Sequence, residues 1–238
     1  MSAVSDAIHP IETGLRPYAD AERAQRAARY FRAVPGGYGE GDRFIGVSVP
    51  DSRRVARAFR DLSRESIREA LRSPWHEVRM TALFVLVHRF ERAGEEDRRT
   101  IADLYFLERR GINNWDLVDS SAPPILGGRF LDGDEGILDR YDTGALWDTR
   151  IAILATFACI RQNRFDPTIT LCERYRDYPH DLIHKACGWM LREVGARDID
   201  LLREFLRIHA AGMPRTMLRY AIEKMDPEER RRWRNAGD

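Results

Sequence analysis

A tryptophan and an aspartate stand four residues apart in the segment NNWDLVDS, residues 113–120. The asparagine pair can cap a helix, so that Trp115 and Asp119 lie on one face while Leu117 and Val118 supply the buried side. An indole face attracts cations, and a carboxylate stabilises positive charge at short range. The pair therefore suits chemistry in which positive charge develops. The alternative interpretation is a packing tryptophan beside a capping or solvated aspartate.

Two later segments also combine cations with aromatic rings. In LWDTR, Arg150 stands directly before the apolar residues 151–160, a position where arginine usually pairs with a carboxylate or a phosphate. In KACGWMLRE, Lys185, Trp189 and Arg192 follow each other at spacings of four and three residues and share one helix face. The alternative for this second segment is an amphipathic surface helix with snorkelling side chains.

The elements that position these residues are predicted to be helices. Segments beyond residue 50 repeat apolar residues with a period of about 3.6, and β-branched runs between turns are missing, so the predicted class is all-α. The segments HEVRMTAL, WDTRIAIL, HDLIHKAC and PRTMLRYA form a weak repeat with roughly the spacing of helix-pair solenoids, and NNWDLVDS fills a skipped slot. We predict one HEAT-like superhelix over residues 1–238 with a concave groove.

Between the helices, the glycine-rich stretch 34–49 is predicted to be a loop insertion, and residues 1–15 and 235–238 are predicted to be flexible. The helices are predicted over residues 20–33, 50–60, 64–72, 76–92, 96–109, 114–121, 133–141, 146–161, 167–176, 180–194, 198–210, 214–225 and 227–233.

Composition points to a globular cytoplasmic protein. With 43% hydrophobic residues in 238, the chain has enough apolar material for a core, and no stretch reaches the roughly 20 apolar residues of a membrane span. No secretory signal is recognised, and three unpaired cysteines fit a reducing compartment. Lys185 and Lys224 are the only lysines among 39 cationic residues, and such an arginine excess is compatible with nucleic-acid binding as well as with codon bias.

Together, these segments resemble the AlkD-type family of alkylpurine DNA glycosylases, a family of HEAT-like repeats. The likeness runs from about residue 28 to residue 225. It is carried by ARYF at 28–31, NNWDLVDS at 113–120, LWDTRIA at 146–152, KACGWMLRE at 185–193 and MPRTMLRYAIEK at 213–224.

The resemblance implies a role for each matching residue. The aromatic residue and the essential carboxylate of the family fall on Trp115 and Asp119, its arginine on Arg150 and its later tryptophan on Trp189. Asp116, on a different helical face, is expected to matter less than Asp119.

A tyrosine that helps to line the family's site would be Tyr30, with Tyr38 as its rival. The departure from the family pattern is the loop GGYGEGDRF, residues 36–44, which leaves these two tyrosines as alternatives. The loop lacks the lysine and the strand context of a nucleotide-binding loop, so it is interpreted as a lid or a DNA-contacting loop.

The expected partner is duplex DNA that contains alkylated bases, bound by a monomer that is associated with the nucleoid while it acts. No cofactor and no metal are expected, because His180 and His184 share a helix face without the glutamate of a metalloprotease motif. The alternative function is a non-catalytic scaffold that binds DNA or protein. The DNA-binding face is predicted to include Arg150, Tyr30, Tyr38, Lys185, Arg192, Arg215 and Arg219.

Overall fold

Helices form the regular structure of this computed structural model, which describes residues 8–236. Within that range the one β pairing is an isolated bridge between Arg43 and Trp75, so the all-α prediction is confirmed. None of the described helices is long and apolar enough to cross a membrane. The fourteen α-helices of the described range are α1 (Pro10–Leu15), α2 (Ala21–Tyr30), α3 (Val49–Ala58), α4 (Arg64–Leu71), α5 (His76–Phe90), α6 (Glu95–Leu107), α7 (Trp115–Ala122), α8 (Gly128–Leu131), α9 (Leu146–Arg161), α10 (Asp166–Arg174), α11 (Asp181–Gly195), α12 (Ile199–His209), α13 (Arg215–Ala221) and α14 (Pro227–Arg234).

Most predicted helices are confirmed to within a few residues, and the exceptions are short. The segment predicted as a helix over 133–141 forms a 3-10 helix, Glu135–Tyr141. Neither α8 nor the π-helical turn Pro123–Gly127 before it was predicted from the sequence. The helix α1 was also missed, because six residues are too few to reveal it by periodicity.

The predicted flexible ends lie partly outside the described range, at residues 1–7 and 237–238. Within it, α1 buries both Ile11 and Leu15 completely, because these residues lie four apart on the face that packs on α3 and α5.

Contacts divide the chain into two compact units, Met1–Ser121 and Ala122–Asp238. In the first unit, α1, α3, α4 and α6 pack around α5, which buries twelve of its fifteen residues. In the second unit, α11 packs between α9 and α13, with α10 and α12 against it. The five repeat segments begin α5, α7, α9, α11 and α13, which is every second helix. A single superhelix with a groove stays a prediction.

Gly188 allows α11 and α13 to approach closely. A Cβ atom at this position would lie 2.4 Å from the carbonyl oxygen of Met217 and 2.6 Å from the Cβ of Tyr220. We expect Gly188→Ala to lower the free energy of unfolding by about 1–3 kcal/mol, because the backbone of α13 has to shift. Urea denaturation measures this, with Gly212→Ala as the control, since no atom lies within 4 Å of a Cβ there. Equal losses in both variants would contradict the expectation.

Candidate functional site

The first five residues of α7 place Trp115 and Asp119 one turn apart, as predicted. Asn114 precedes the helix, and its backbone carbonyl accepts a 3.1 Å hydrogen bond from the Val118 amide. Leu117 and Val118 are completely buried, whereas Trp115 and Asp119 are partly exposed. The predicted division of α7 into a buried side and an accessible side is therefore confirmed.

Trp115 belongs to an aromatic cluster that links the helices α2, α5 and α7 with the glycine-rich loop. Its ring centroid lies 5.7 Å from that of Tyr30, edge-on, and 5.2 Å from that of Phe31. Phe31 stacks on Phe44 at 5.6 Å and on His76 at 5.0 Å, and Phe44 lies 4.9 Å from His76. Tyr30 is 66% exposed, so the cluster presents an open edge made by Tyr30 and Trp115.

Behind this cluster lies a buried charged network that centres on His76. Nδ1 of its ring lies 3.0 Å from Asp42 Oδ2, and Nε2 lies 2.8 Å from Asp116 Oδ2. Burial alone disfavours the charged ring, but the hydrogen bonds to Asp116 and Asp42 outweigh it and raise the pKa of His76 to about 9. Asp116, expected to matter less than Asp119, thus binds a buried partner.

Arg79 completes the network from the next turn of α5. Its guanidinium donates to the carbonyls of Gly111 and Ser73, each at 2.8 Å, and to Asp42 Oδ1 at 2.7 Å. Asn113 also accepts from Arg79, at 3.0 Å. Burial raises the pKa of Asp42, but His76 and Arg79 more than compensate, so its pKa lies below the usual range.

The glycine-rich loop is fastened to α5. The Glu77 carboxylate accepts hydrogen bonds from three successive backbone amides of the loop, those of Ile45, Gly46 and Val47, at 2.8 to 3.2 Å. Gly46 has φ +84, and a Cβ there would lie 2.0 Å from the Asp20 carbonyl oxygen, so glycine is required. The end of the loop is therefore held against the start of α5, and its role as a lid or as a DNA-contacting loop stays a prediction.

Tyr38, the rival of Tyr30, is partly buried on this loop, whereas Tyr30 lies beside Trp115. His76 and Glu77 were not predicted as site residues from the sequence. Their signal was a pair of titratable residues shortly before one of the longest apolar stretches of the chain, residues 81–87.

In the second unit, Arg150 and Trp189 stand on neighbouring helices α9 and α11. Arg150 is buried, and its Nη1 donates a 2.6 Å hydrogen bond to the Leu182 carbonyl in the first turn of α11. Trp189 is partly exposed, and its indole N–H donates to Glu193 Oε1 at 2.9 Å. The ring of Phe157 lies 6.0 Å from that of Trp189. The guanidinium of Arg150 and the indole of Trp189 are therefore both oriented by protein groups.

The predicted DNA-contacting cations of this unit differ in their surroundings. Those on α11 pair with carboxylates: Lys185 lies 3.0 Å from Asp181, and Arg192 binds Glu193 and Glu223. Those on α13, Arg215 and Arg219, are exposed; Arg215 donates to the Arg234 carbonyl at 2.7 Å, and Arg219 lies over the Tyr220 ring. Because of the carboxylates, α11 carries less net positive charge than its cations alone predict.

Residues 11–225 match the model of the family described as DNA alkylation repair enzyme. The chain belongs to this family. Among solved structures, a predicted DNA alkylation repair enzyme from Enterococcus faecalis is similar, with a TM-score of 0.68 and 14% identity over 88% of this chain and 97% of that chain. At that identity the likeness shows the fold. No curated protein matches the sequence. Both clusters described above lie within the residues that match the DNA alkylation repair enzyme model.

Proposed function

We propose that this DNA alkylation repair enzyme is a monofunctional glycosylase that hydrolyses the N-glycosidic bond of cationic alkylated purines in duplex DNA. N3-alkyladenine and N7-alkylguanine are the substrates. The observation that carries the proposal is the accessible pair Trp115 and Asp119 on α7, backed by a buried network that holds this turn in place.

Asp119 is assigned the central role because of where charge develops. An alkylated purine is a cationic leaving group, so cleavage builds positive charge on the deoxyribose ring and requires no protonation of the base. A carboxylate about 4 Å away attracts that charge by roughly 4 kcal/mol at an effective dielectric constant near 20, against about 1 kcal/mol in water. Expressed only in the transition state, the larger value corresponds to a rate factor of roughly 10³. Asp119 also orients the attacking water.

The aromatic residues bind the cationic lesion or its sugar. Each indole face contributes about 0.5–2 kcal/mol, depending on desolvation. These indoles are assigned to Trp115 and Trp189, as the family resemblance implies. Of the two candidate tyrosines, Tyr30 is favoured, because its exposed ring contacts Trp115.

The DNA backbone is held by arginine and lysine. We assign Arg150 to a phosphate beside the lesion, where its hydrogen bond to the Leu182 carbonyl orients the guanidinium. Lys185, Arg192, Arg215 and Arg219 are assigned to flanking phosphates.

The decisive experiment measures base release from methylated duplex DNA. Purified protein is incubated with the duplex, and free N3-methyladenine and N7-methylguanine are quantified by chromatography, with protein-free DNA as the blank for spontaneous loss. We expect release above the blank from methylated DNA and none from unmodified DNA. Tight binding to the duplex without release would instead support the non-catalytic scaffold.

Affinity for duplex DNA is expected to fall steeply with salt, since binding to phosphates releases counterions. The double variant Arg215→Gln/Arg219→Gln is expected to flatten the slope of log K against log salt, by roughly 0.9 for each phosphate that the protein no longer neutralises. Fluorescence anisotropy between about 50 and 200 mM salt measures the slope. The control Arg57→Gln/Arg99→Gln removes the same charge from exposed positions on α3 and α6. If both double variants change the slope equally, Arg215 and Arg219 do not bind phosphates specifically.

A further inference from the structure

His76 connects the glycine-rich loop to the first turn of α7, two segments that are distant in sequence. Asp42 belongs to the glycine-rich loop, and Asp116 is the neighbour of Trp115 in the first turn of α7. The side chains of His76 and Asp42 are 3% exposed, and that of Asp116 is 15% exposed. The connection is therefore shielded from water, where a charged hydrogen bond is stronger than at the surface.

Two phenylalanines also pack against the His76 ring. Phe31 and Phe44 stack on it with interplanar angles of 24° and 26°, and Phe31 in turn contacts Trp115. The ring thus touches α7 in two ways: directly through Asp116, and through Phe31 to Trp115. A change at His76 is transmitted to both.

We propose that His76 is a positioning residue for base excision: hydrogen-bonded to Asp42 and Asp116, its ring holds the first turn of α7, and with it Trp115 and Asp119, in the productive position. The kinetic part of this inference rests on the proposed function, whereas the structural part does not. A displacement of about 1 Å in a catalytic group can lower the rate roughly 10²-fold. If His76 no longer positions α7, the excision rate should therefore fall measurably.

Two carboxylates can be held by one histidine only when both ring nitrogens carry hydrogen, which requires the charged ring. The charged groups that face it are Asp42 from the loop, Asp116 from α7 and Arg79 from α5 itself. The carboxylates keep the ring charged to a pKa of about 9, although Arg79 opposes them. Above that pH the neutral ring donates to one carboxylate and presents a lone pair to the other.

The sign of the resulting pH dependence follows from this raised pKa. The contribution of His76 to folding stability is complete below the unfolded pKa of 6.5 and is lost as the pH rises through about 9. The hydrogen bonds from His76 should therefore fix the position of α7 less firmly as the pH rises through about 9.

The first test is the pH profile of single-turnover excision by saturating wild-type enzyme. We expect the rate, after subtraction of spontaneous loss, to fall as the pH rises through about 9. Below that pH, His76→Gln is expected to excise the base about 10-fold more slowly than the wild type, or more slowly still, while its DNA affinity stays near normal. Its rate should not fall further as the pH rises through about 9. Asp42→Asn, which keeps the shape of the side chain, is expected to move the fall to lower pH, because one of the two stabilising charges is gone.

The control for reduced stability is Glu108→Gln. Glu108 is a buried carboxylate of the same unit. Its side chain binds Arg68 of α4 and Arg72, the residue directly after α4, rather than α7. The Glu108→Gln variant should be less stable than the wild type, but its excision rate and the pH profile of that rate should be those of the wild type. If His76→Gln keeps the wild-type rate and the wild-type fall, or if Glu108→Gln abolishes the fall as well, the positioning role is wrong.

The second test needs no excision activity. Hydrogen exchange of the amides of residues 115–119 should be about 10-fold faster or more in His76→Gln than in the wild type, and unchanged in α11. Absence of base release by the wild type would overturn the proposed function alone. Unchanged exchange in α7 would overturn the positioning of this turn by His76.

Discussion

Replacement of Asp119 by asparagine is expected to slow base release by about 10²-fold or more, while the fold and the affinity for DNA stay close to those of the wild type. Asparagine keeps the size and much of the hydrogen-bonding capacity of the side chain but removes its charge. The loss therefore falls on the transition state, where the sugar is positive, and not on the ground-state complex. Single-turnover kinetics on methylated duplex DNA, combined with circular dichroism and a binding titration, measure the three quantities.

Asp116→Asn is the matched control. It removes the same charge three residues earlier in the same helix, but the asparagine oxygen can still accept the hydrogen bond from His76, whose ring nitrogen lies 2.8 Å from Asp116 Oδ2. We expect a smaller loss of rate than for Asp119→Asn. A wild-type excision rate in Asp119→Asn, or a variant that fails to fold, would remove the assignment of Asp119 as the electrostatic catalyst.

The largest loss of stability is expected for Arg79→Met, which should lower the free energy of unfolding by about 3–5 kcal/mol. Methionine preserves the apolar part of the side chain. The buried Asp42 carboxylate then loses one of its hydrogen-bond donors, and the carbonyls of Ser73 and Gly111 lose the donor that Arg79 supplied. A buried charge that loses a partner costs more than the hydrogen bond itself contributes. Urea denaturation followed by circular dichroism measures the change.

Two further variants separate this mechanism from a general loss of arginine. Arg99→Met on α6 replaces an exposed arginine and is expected to change stability by no more than about 0.5 kcal/mol. Asp42→Asn introduced into Arg79→Met should recover part of the loss, because it removes the poorly compensated charge. A double variant that is less stable than Arg79→Met would show that charge burial is not the cause.

Much of the fold could be predicted from local patterns. The boundaries of α5, α7, α9 and α11 agree with prediction to within two residues, because the apolar period and the capping residues are properties of contiguous segments. The accessibility of Trp115 and Asp119 on α7 followed from the same period. Short helices such as α1 were missed, because one or two turns do not establish a period.

The charges and contacts around those residues were decided by the tertiary structure. His76 lies 34 residues from Asp42 and 40 from Asp116, and each hydrogen bond exists only because the loop and α7 meet at the start of α5. Likewise, Arg150 and Leu182 meet across two packed helices. The amino-acid sequence by itself determined the helices and which faces they bury, since those depend on neighbours along the chain. Which buried charges pair with each other depends on residues that folding brings together from distant parts of the chain. The helical period of one segment does not indicate which distant residue becomes the partner.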